Sequence, residues 1–266
     1  MNQESISKVN QIGWDQSVYQ AWVNRHGLPN EYAQKLKSNP TRAVSYYIKY
    51  MGDVRDKKIA NLLGSKGNKA VSFALLGADV TVVDISKENR RYAMELANQA
   101  DVNIKYIVSD LLEIPEEDKL ADFDFVVLEL GVLHYFVDLM PLFNLVRNSL
   151  KSGGKFILRD YHPFASKLMN LEGDKMIANG DYFETELVDV DVAYSILLSE
   201  NERAKLTKNK IRRWTLGEIV TSIAKANLNM EILEEESGIR WAFPVNSPEG
   251  IENKIPGLFT IIANKY

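Results

Sequence analysis

The spacing of apolar residues is most informative between residues 57 and 84, KKIANLLGSKGNKAVSFALLGADVTVVD. A short apolar run (Lys58–Leu62) leads into a Gly-containing turn (63–67), a helical stretch (68–76), Gly77, and a second apolar run that ends on Asp84. Short apolar runs bounded by glycine read as buried strands, so the segment predicts one βαβ unit. Such a unit almost always crosses over right-handed, and ligands bind at the carboxyl ends of its strands. Here those ends are the turn and Asp84.

The alternation continues downstream. Ser86 caps a helix expected over 87–98, with Tyr92, Ala93, Leu96 and Ala97 on its buried side. A strand over 104–108 ends in Ser109-Asp110. FVVLEL (125–130) is apolar apart from Glu129, as a central parallel strand should be. A helix over 139–150, a Lys-Ser-Gly-Gly turn and a strand over 155–159 follow. Strands alternating with helices in this way predict an α/β fold, a Rossmann-like doubly wound sheet.

The flanks read differently. Trp14, Val18, Tyr19, Trp22 and Val23 recur at helical spacing over 14–26, and further helices are expected over 31–36 and 40–51. These helices must pack on the sheet's edge or over its ligand end. Residues 163–213 break the alternation, and 183–198 suggests antiparallel strands. Thr215 to Glu218 has the spacing of a capping box, opening a helix that ends near Asn227. Strands over 230–235 and 259–263 would close the sheet as an antiparallel pair. The expected organisation is one domain over 1–266: an N-terminal helical cap (1–56), a ligand-binding core (57–162), an insertion or substrate lid (163–213), and a C-terminal helix and strand pair (214–266).

Composition narrows the chemistry. The 266 residues contain no cysteine, which excludes disulfides, thiolate metal sites and cysteine nucleophiles. Three histidines, His26, His134 and His162, are too far apart for a HExxH motif, so no metal is expected. A net charge of −4 argues against non-specific attraction to nucleic acid. No apolar run is long enough to span a bilayer, and residues 1–12 lack the order of a signal peptide, so the chain reads as cytoplasmic with no membrane partner. Within 203–213, RAKLTKNKIRR, six of eleven positions are basic: a solvated hairpin, or a contact to RNA or an anionic substrate.

A turn that offers backbone N–H groups beside a helix N-terminus, with an acid at the end of the next strand, suits an adenosine-containing ligand. Asp110, ending the third strand, is placed to accept from an exocyclic amine or to cap a helix. His134 and His162, just beyond the fourth and fifth strands, are candidate bases. Trp14, Tyr19, Tyr182 and Trp214, with Tyr46 and Phe164, are candidates for an apolar acceptor cavity.

Taken in order, these motifs resemble those of the class I S-adenosylmethionine-dependent methyltransferases, over roughly residues 57–165 plus the closing strand pair. The family's first motif falls on Asn61, Leu63, Ser65 and Gly67, with Gly64 as an extra flexible position. It departs from the family pattern: Leu63 and Ser65 stand where glycines are expected, and Asn61 where an acid is. Asp84 with Ile85 matches the ribose-binding carboxylate, Ser109-Asp110-Leu111 the adenine segment, and Glu129-Leu130 the fourth-strand motif beside the methyl donor. LKSGGKFILRD matches the fifth-strand motif. The resemblance implies a seven-stranded sheet whose last strand is antiparallel, S-adenosyl-L-methionine as cofactor, and methyl transfer to a small-molecule acceptor. The basic run at 203–213 keeps a tRNA methyltransferase open, and the altered first motif keeps open a non-catalytic S-adenosylmethionine-binding protein.

Overall fold

The computed structural model describes all 266 residues. Four helices come first: α1 (Gln3–Trp14), α2 (Val18–His26), α3 (Pro29–Ser38) and α4 (Ser45–Met51). The βαβ core follows as β1 (Lys58–Leu62), α5 (Asn68–Leu75), β2 (Asp79–Asp84), α6 (Lys87–Gln99), β3 (Lys105–Val108), β4 (Phe123–Glu129), α7 (Leu139–Ser149) and β5 (Leu150–Tyr161). Two small hairpin elements, β6 (Met169–Glu172) and β7 (Lys175–Ala178), precede β8 (Leu187–Val190), α8 (Glu200–Arg203) and β9 (Asn209–Arg212). The chain ends with α9 (Leu216–Lys225), β10 (Asn229–Glu236) and β11 (Leu258–Asn264).

The main sheet has seven strands in the order β10-β11-β5-β4-β1-β2-β3. Strands β1 to β5 are parallel, and β11 runs antiparallel to both β5 and β10. This is the Rossmann-like sheet with a reversed last strand that the motif order implied. Because successive strand residues face opposite sides, Ile59, Val82 and Val127 pack beneath α2 to α6, while Ala60, Leu62, Val126 and Leu128 pack against α7 and α9. Burial on both faces is why the central strands read as unbroken apolar runs.

Two sequence expectations are redrawn. The helix expected over 14–26 begins at Val18, and a separate helix, α1, precedes it. The two helices are divided at Asp15 to Ser17, where the Asp15 carboxylate accepts from the Lys87 backbone and the Trp14 carbonyl accepts from Ser86 Oγ. The alternating stretch 183–198 forms only one strand, β8, which pairs with β9 rather than within itself. The basic run becomes that β9 hairpin: Lys210 pairs with Asp189 at 2.7 Å and Arg212 with Glu218 at 2.7 Å. Lys208 lies 3.9 Å from Asp191 as well, so three of the run's six basic residues sit beside neighbouring acids.

Candidate functional site

The carboxyl ends of β1, β2, β3 and β4 open into one cavity of about 360 Å³, within the range of small-molecule sites. The turn after β1 forms its floor through Leu63, Gly64, Ser65 and Lys66. Leu63 and Ser65 both adopt left-handed φ of 49°, the conformation glycine takes without penalty and other residues at about 1–2 kcal/mol. The glycine-type turn is therefore kept although two side chains have been added to it. Gly64 cannot be replaced so simply. A Cβ there would lie 2.7 Å from Val82 Cγ1 and 2.9 Å from the Asn61 carbonyl.

Asp84 ends β2 and is buried. Its Oδ2 accepts from Ser65 N at 2.9 Å; its Oδ1 accepts from Ser86 N at 3.0 Å and Asn89 Nδ2 at 3.1 Å. Burial pushes this carboxyl above its ordinary pKa, and the three hydrogen bonds pull back. A carboxylate has about four acceptor positions, so roughly one remains, on Oδ2. Asp110 lines the same cavity and caps the Leu112 N–H at 3.0 Å. The two acids thus line one space, together with Ile85, Ser109 and Leu111.

At the other end, Glu129 closes β4. Lys69 Nζ lies 2.6 Å from its Oε1, and Tyr47 donates its hydroxyl to Oε2. Lys66 has no acidic partner: its ammonium sits 4.4 Å from the Trp22 ring centroid, and burial, with Lys69 adding to it, lowers its pKa to about 7. Beyond β4 the chain turns through Leu130 (φ 53°) and Gly131 (φ 78°). Tyr135, and Tyr161 at the end of β5, complete this wall.

All the sequence-derived ligand residues line the cavity except Asn61 and Gly67. Asn61 is buried beneath the turn with its Nδ2 unpartnered; Gly67 (φ 72°) starts α5 in contact with Ala93. Of the acceptor-site candidates, only Trp14 reaches the cavity. Tyr19 bonds Glu95 at 2.5 Å, Tyr182 accepts from the Leu216 N–H, and Trp214 donates to the Leu133 carbonyl from the core. Tyr46 is drawn away to Thr260, and Phe164 lies outside the lining as well.

Neither histidine lines it. His134 packs edge-on against the Tyr135 ring, with its pKa lowered to about 4 by burial. His162 is buried beside Phe259, its Nδ1 accepting from Phe164 N and its Nε2 2.8 Å from Glu235. The helix α1, absent from the sequence expectations, supplies Gln3, Ser7, Asn10 and Trp14 as the roof. Gln3 is pinned to the Tyr135 carbonyl (3.0 Å) and the Val137 N–H (2.9 Å), and Asn10 to both backbone groups of Lys210. From 163–213, only Ala193 touches the cavity, so that segment braces the roof rather than forming it.

Residues 63–158 match the family described as a methyltransferase domain, spanning β1's turn to β5. Over that segment the chain is similar to methyltransferases. The chain shares its fold with solved structures at low identity. An S-adenosylmethionine-dependent methyltransferase from Mesorhizobium loti is 20% identical over 83% of this chain and 96% of its own, with a TM-score of 0.60. A magnesium protoporphyrin IX methyltransferase from Synechocystis, solved with S-adenosylhomocysteine, is 10% identical over 98% and 99%, TM-score 0.58. A glycopeptide N-methyltransferase solved with S-adenosylmethionine is 14% identical over 85% and 94%, TM-score 0.54. No curated protein matches the sequence.

Proposed function

We propose that this chain is a methyltransferase that holds S-adenosylmethionine along the carboxyl ends of β3, β2, β1 and β4 and methylates a small-molecule acceptor. The observation that carries the reading is the convergence of Asp84, Asp110 and the turn 63–65 on one cavity. The residues present suit the cofactor. Asp110 and Leu111 would take the adenine, and Asp84 a ribose hydroxyl through its one open acceptor position. Ser65 Oγ is buried without a partner in the cavity floor, a hydrogen bond waiting for a ligand atom. Glu129, Lys66 and Lys69 offer both signs of charge to an amino-acid zwitterion.

When bound, the cofactor supplies a sulfonium-activated methyl group, so the protein's share of the work is alignment and the exclusion of water. The roof of α1 covers the cavity, and Tyr161, 40% exposed, marks its edge. A cavity of this volume beneath a helical roof suits a small acceptor. The test is calorimetric titration of S-adenosylhomocysteine into the wild-type protein and Asp110→Ala: saturable binding that weakens in the variant supports the reading, and no binding to wild type refutes it.

A further inference from the structure

Of the two cations that line the cavity, one is paired and one is not. Lys69 Nζ meets Glu129 Oε1 at 2.6 Å, and Tyr47 donates to the other oxygen of that carboxylate. Lys66 makes neither an ion pair nor a hydrogen bond; its ammonium rests 4.4 Å from the centroid of the Trp22 ring, which lines the same cavity. The nitrogen is deeply set but, unlike the unpartnered Asn61 Nδ2 beneath the turn, it is not sealed. It reaches open space, and the open space its residue lines is the cavity. Just beyond it α5 begins at Gly67 without a side-chain cap, so the positive end of a helix lies beside the ammonium. The charged groups nearest Lys66 are Lys69 from α5 and Arg25 from α2, which repel it, and Glu129 from β4, which attracts it; His26 from α2 is kept neutral by burial and by these cations. An unpaired cation in such company costs stability, and groups of that kind are kept where a ligand needs them.

We propose that Lys66 holds the carboxylate of the cofactor and takes up a proton from solvent as it does so, which ties occupancy of the site to pH. The inference rests on the methyl-transfer reading above and deepens it. Lys69 is committed to Glu129, so Lys66 is the cavity's one cation with nothing to neutralise it. With no anion beside it, burial first and the two neighbouring cations after it hold its pKa at about 7. A carboxylate within hydrogen-bonding distance favours the charged form and moves that pKa back toward its ordinary 10.5. Between the two values Lys66 is mostly neutral in the empty site and charged in the filled one. Binding there draws in a proton, and affinity falls as pH rises. Below pH 7 the side chain is charged in both states, and its contribution no longer depends on pH.

The test is calorimetry with two ligands, S-adenosylhomocysteine and methylthioadenosine, which keeps the nucleoside and lacks the amino-acid end. Each is titrated at pH 6.5 and pH 8.5, in buffers of different ionisation enthalpy so that protons taken up on binding are counted. The wild type should bind S-adenosylhomocysteine roughly tenfold more weakly at pH 8.5, with uptake of most of a proton there. Methylthioadenosine should show neither effect. Lys66→Met should weaken S-adenosylhomocysteine roughly tenfold at pH 6.5, abolish the proton uptake and leave methylthioadenosine within about twofold. Lys66→Arg, charged at both pH values, should keep the affinity for S-adenosylhomocysteine and lose its decline. The proposal is overturned if the wild type binds S-adenosylhomocysteine equally at both pH values without proton uptake, or if Lys66→Met binds it as the wild type does. It is overturned as well if Lys66→Met loses methylthioadenosine, which would assign the residue to the nucleoside, or if Lys66→Arg declines with pH as the wild type does. Failure of the wild type to bind either ligand strikes instead at the methyl-transfer reading, and the proposal falls with it.

Discussion

The carboxylate of Asp160, at the end of β5, accepts the backbone N–H of Gly131 at 2.5 Å across the neighbouring strand end. The same carboxylate accepts from Val132 and Leu133, each at 3.3 Å, and from Tyr161 at 2.7 Å. One buried side chain therefore holds the left-handed turn that leads from Glu129 to Tyr135. Burial pushes the carboxyl's pKa up, and these four N–H groups offset part of that cost. Replacing Asp160 by Asn weakens the set and puts a donor among donors. The expected loss is about 1–3 kcal/mol of stability, with weaker binding of S-adenosylhomocysteine as the turn loosens, read by urea denaturation and calorimetry.

The turn 63–67 gives a paired prediction. Gly64→Ala forces a Cβ against Val82 and the Asn61 carbonyl, and overpacking of this kind costs about 1–3 kcal/mol. Ser65→Gly relieves a left-handed φ of 49° but adds backbone freedom to the unfolded chain, so its net effect on stability stays within about 1 kcal/mol. Thermal melts of the two variants should separate them clearly. Equal destabilisation would mean that the turn's glycines are not set by backbone geometry.

Lys66 gives a pH dependence. Its folded pKa, about 7, is below its ordinary value of 10.5, through burial first and repulsion from Lys69 and Arg25 after it, against attraction to Glu129. Between those values the unfolded chain binds more protons than the folded one, so this group makes stability rise with pH from about 7 toward 10.5. Lys66→Met removes the buried charge. The variant's gain over wild type should be largest below pH 7 and shrink as pH approaches 10. A gain independent of pH would contradict the assignment.

His134 and His162 are expected to be dispensable for chemistry. His134→Gln and His162→Gln should bind S-adenosylhomocysteine as the wild type does. His162→Gln should lower the melting temperature, because its ring is buried between Phe164 N and Glu235. Loss of cofactor affinity in either variant would return that residue to the site.

The core from 57 to 162 was legible because parallel strands buried on both faces leave unbroken apolar runs, and because its turns carry glycine and its strand ends carry acids. The roof was not. Helix α1 turns Gln3, Ser7, Asn10 and Trp14, spaced three or four apart, toward a cavity rather than a core, so its inner face is mostly polar and gives no apolar stripe. The histidines misled for a related reason. Position after a strand end brings a residue near the site, but the turn through Leu130 and Gly131 and the pairing of His162 N with the Gly257 carbonyl send both rings away from it. Asp160 has no signal of its own, since its partners are backbone groups 27 to 29 residues away.

Asp84 bears the heaviest demand, since its last open acceptor position must meet the nucleoside sugar. The most direct measurement is the affinity of S-adenosylhomocysteine for the wild type and Asp84→Asn, with circular dichroism confirming that both are folded. Removing a charge-assisted acceptor should weaken binding roughly ten- to a hundredfold. An Asp84→Asn protein that is folded and binds S-adenosylhomocysteine as tightly as the wild type would contradict the account.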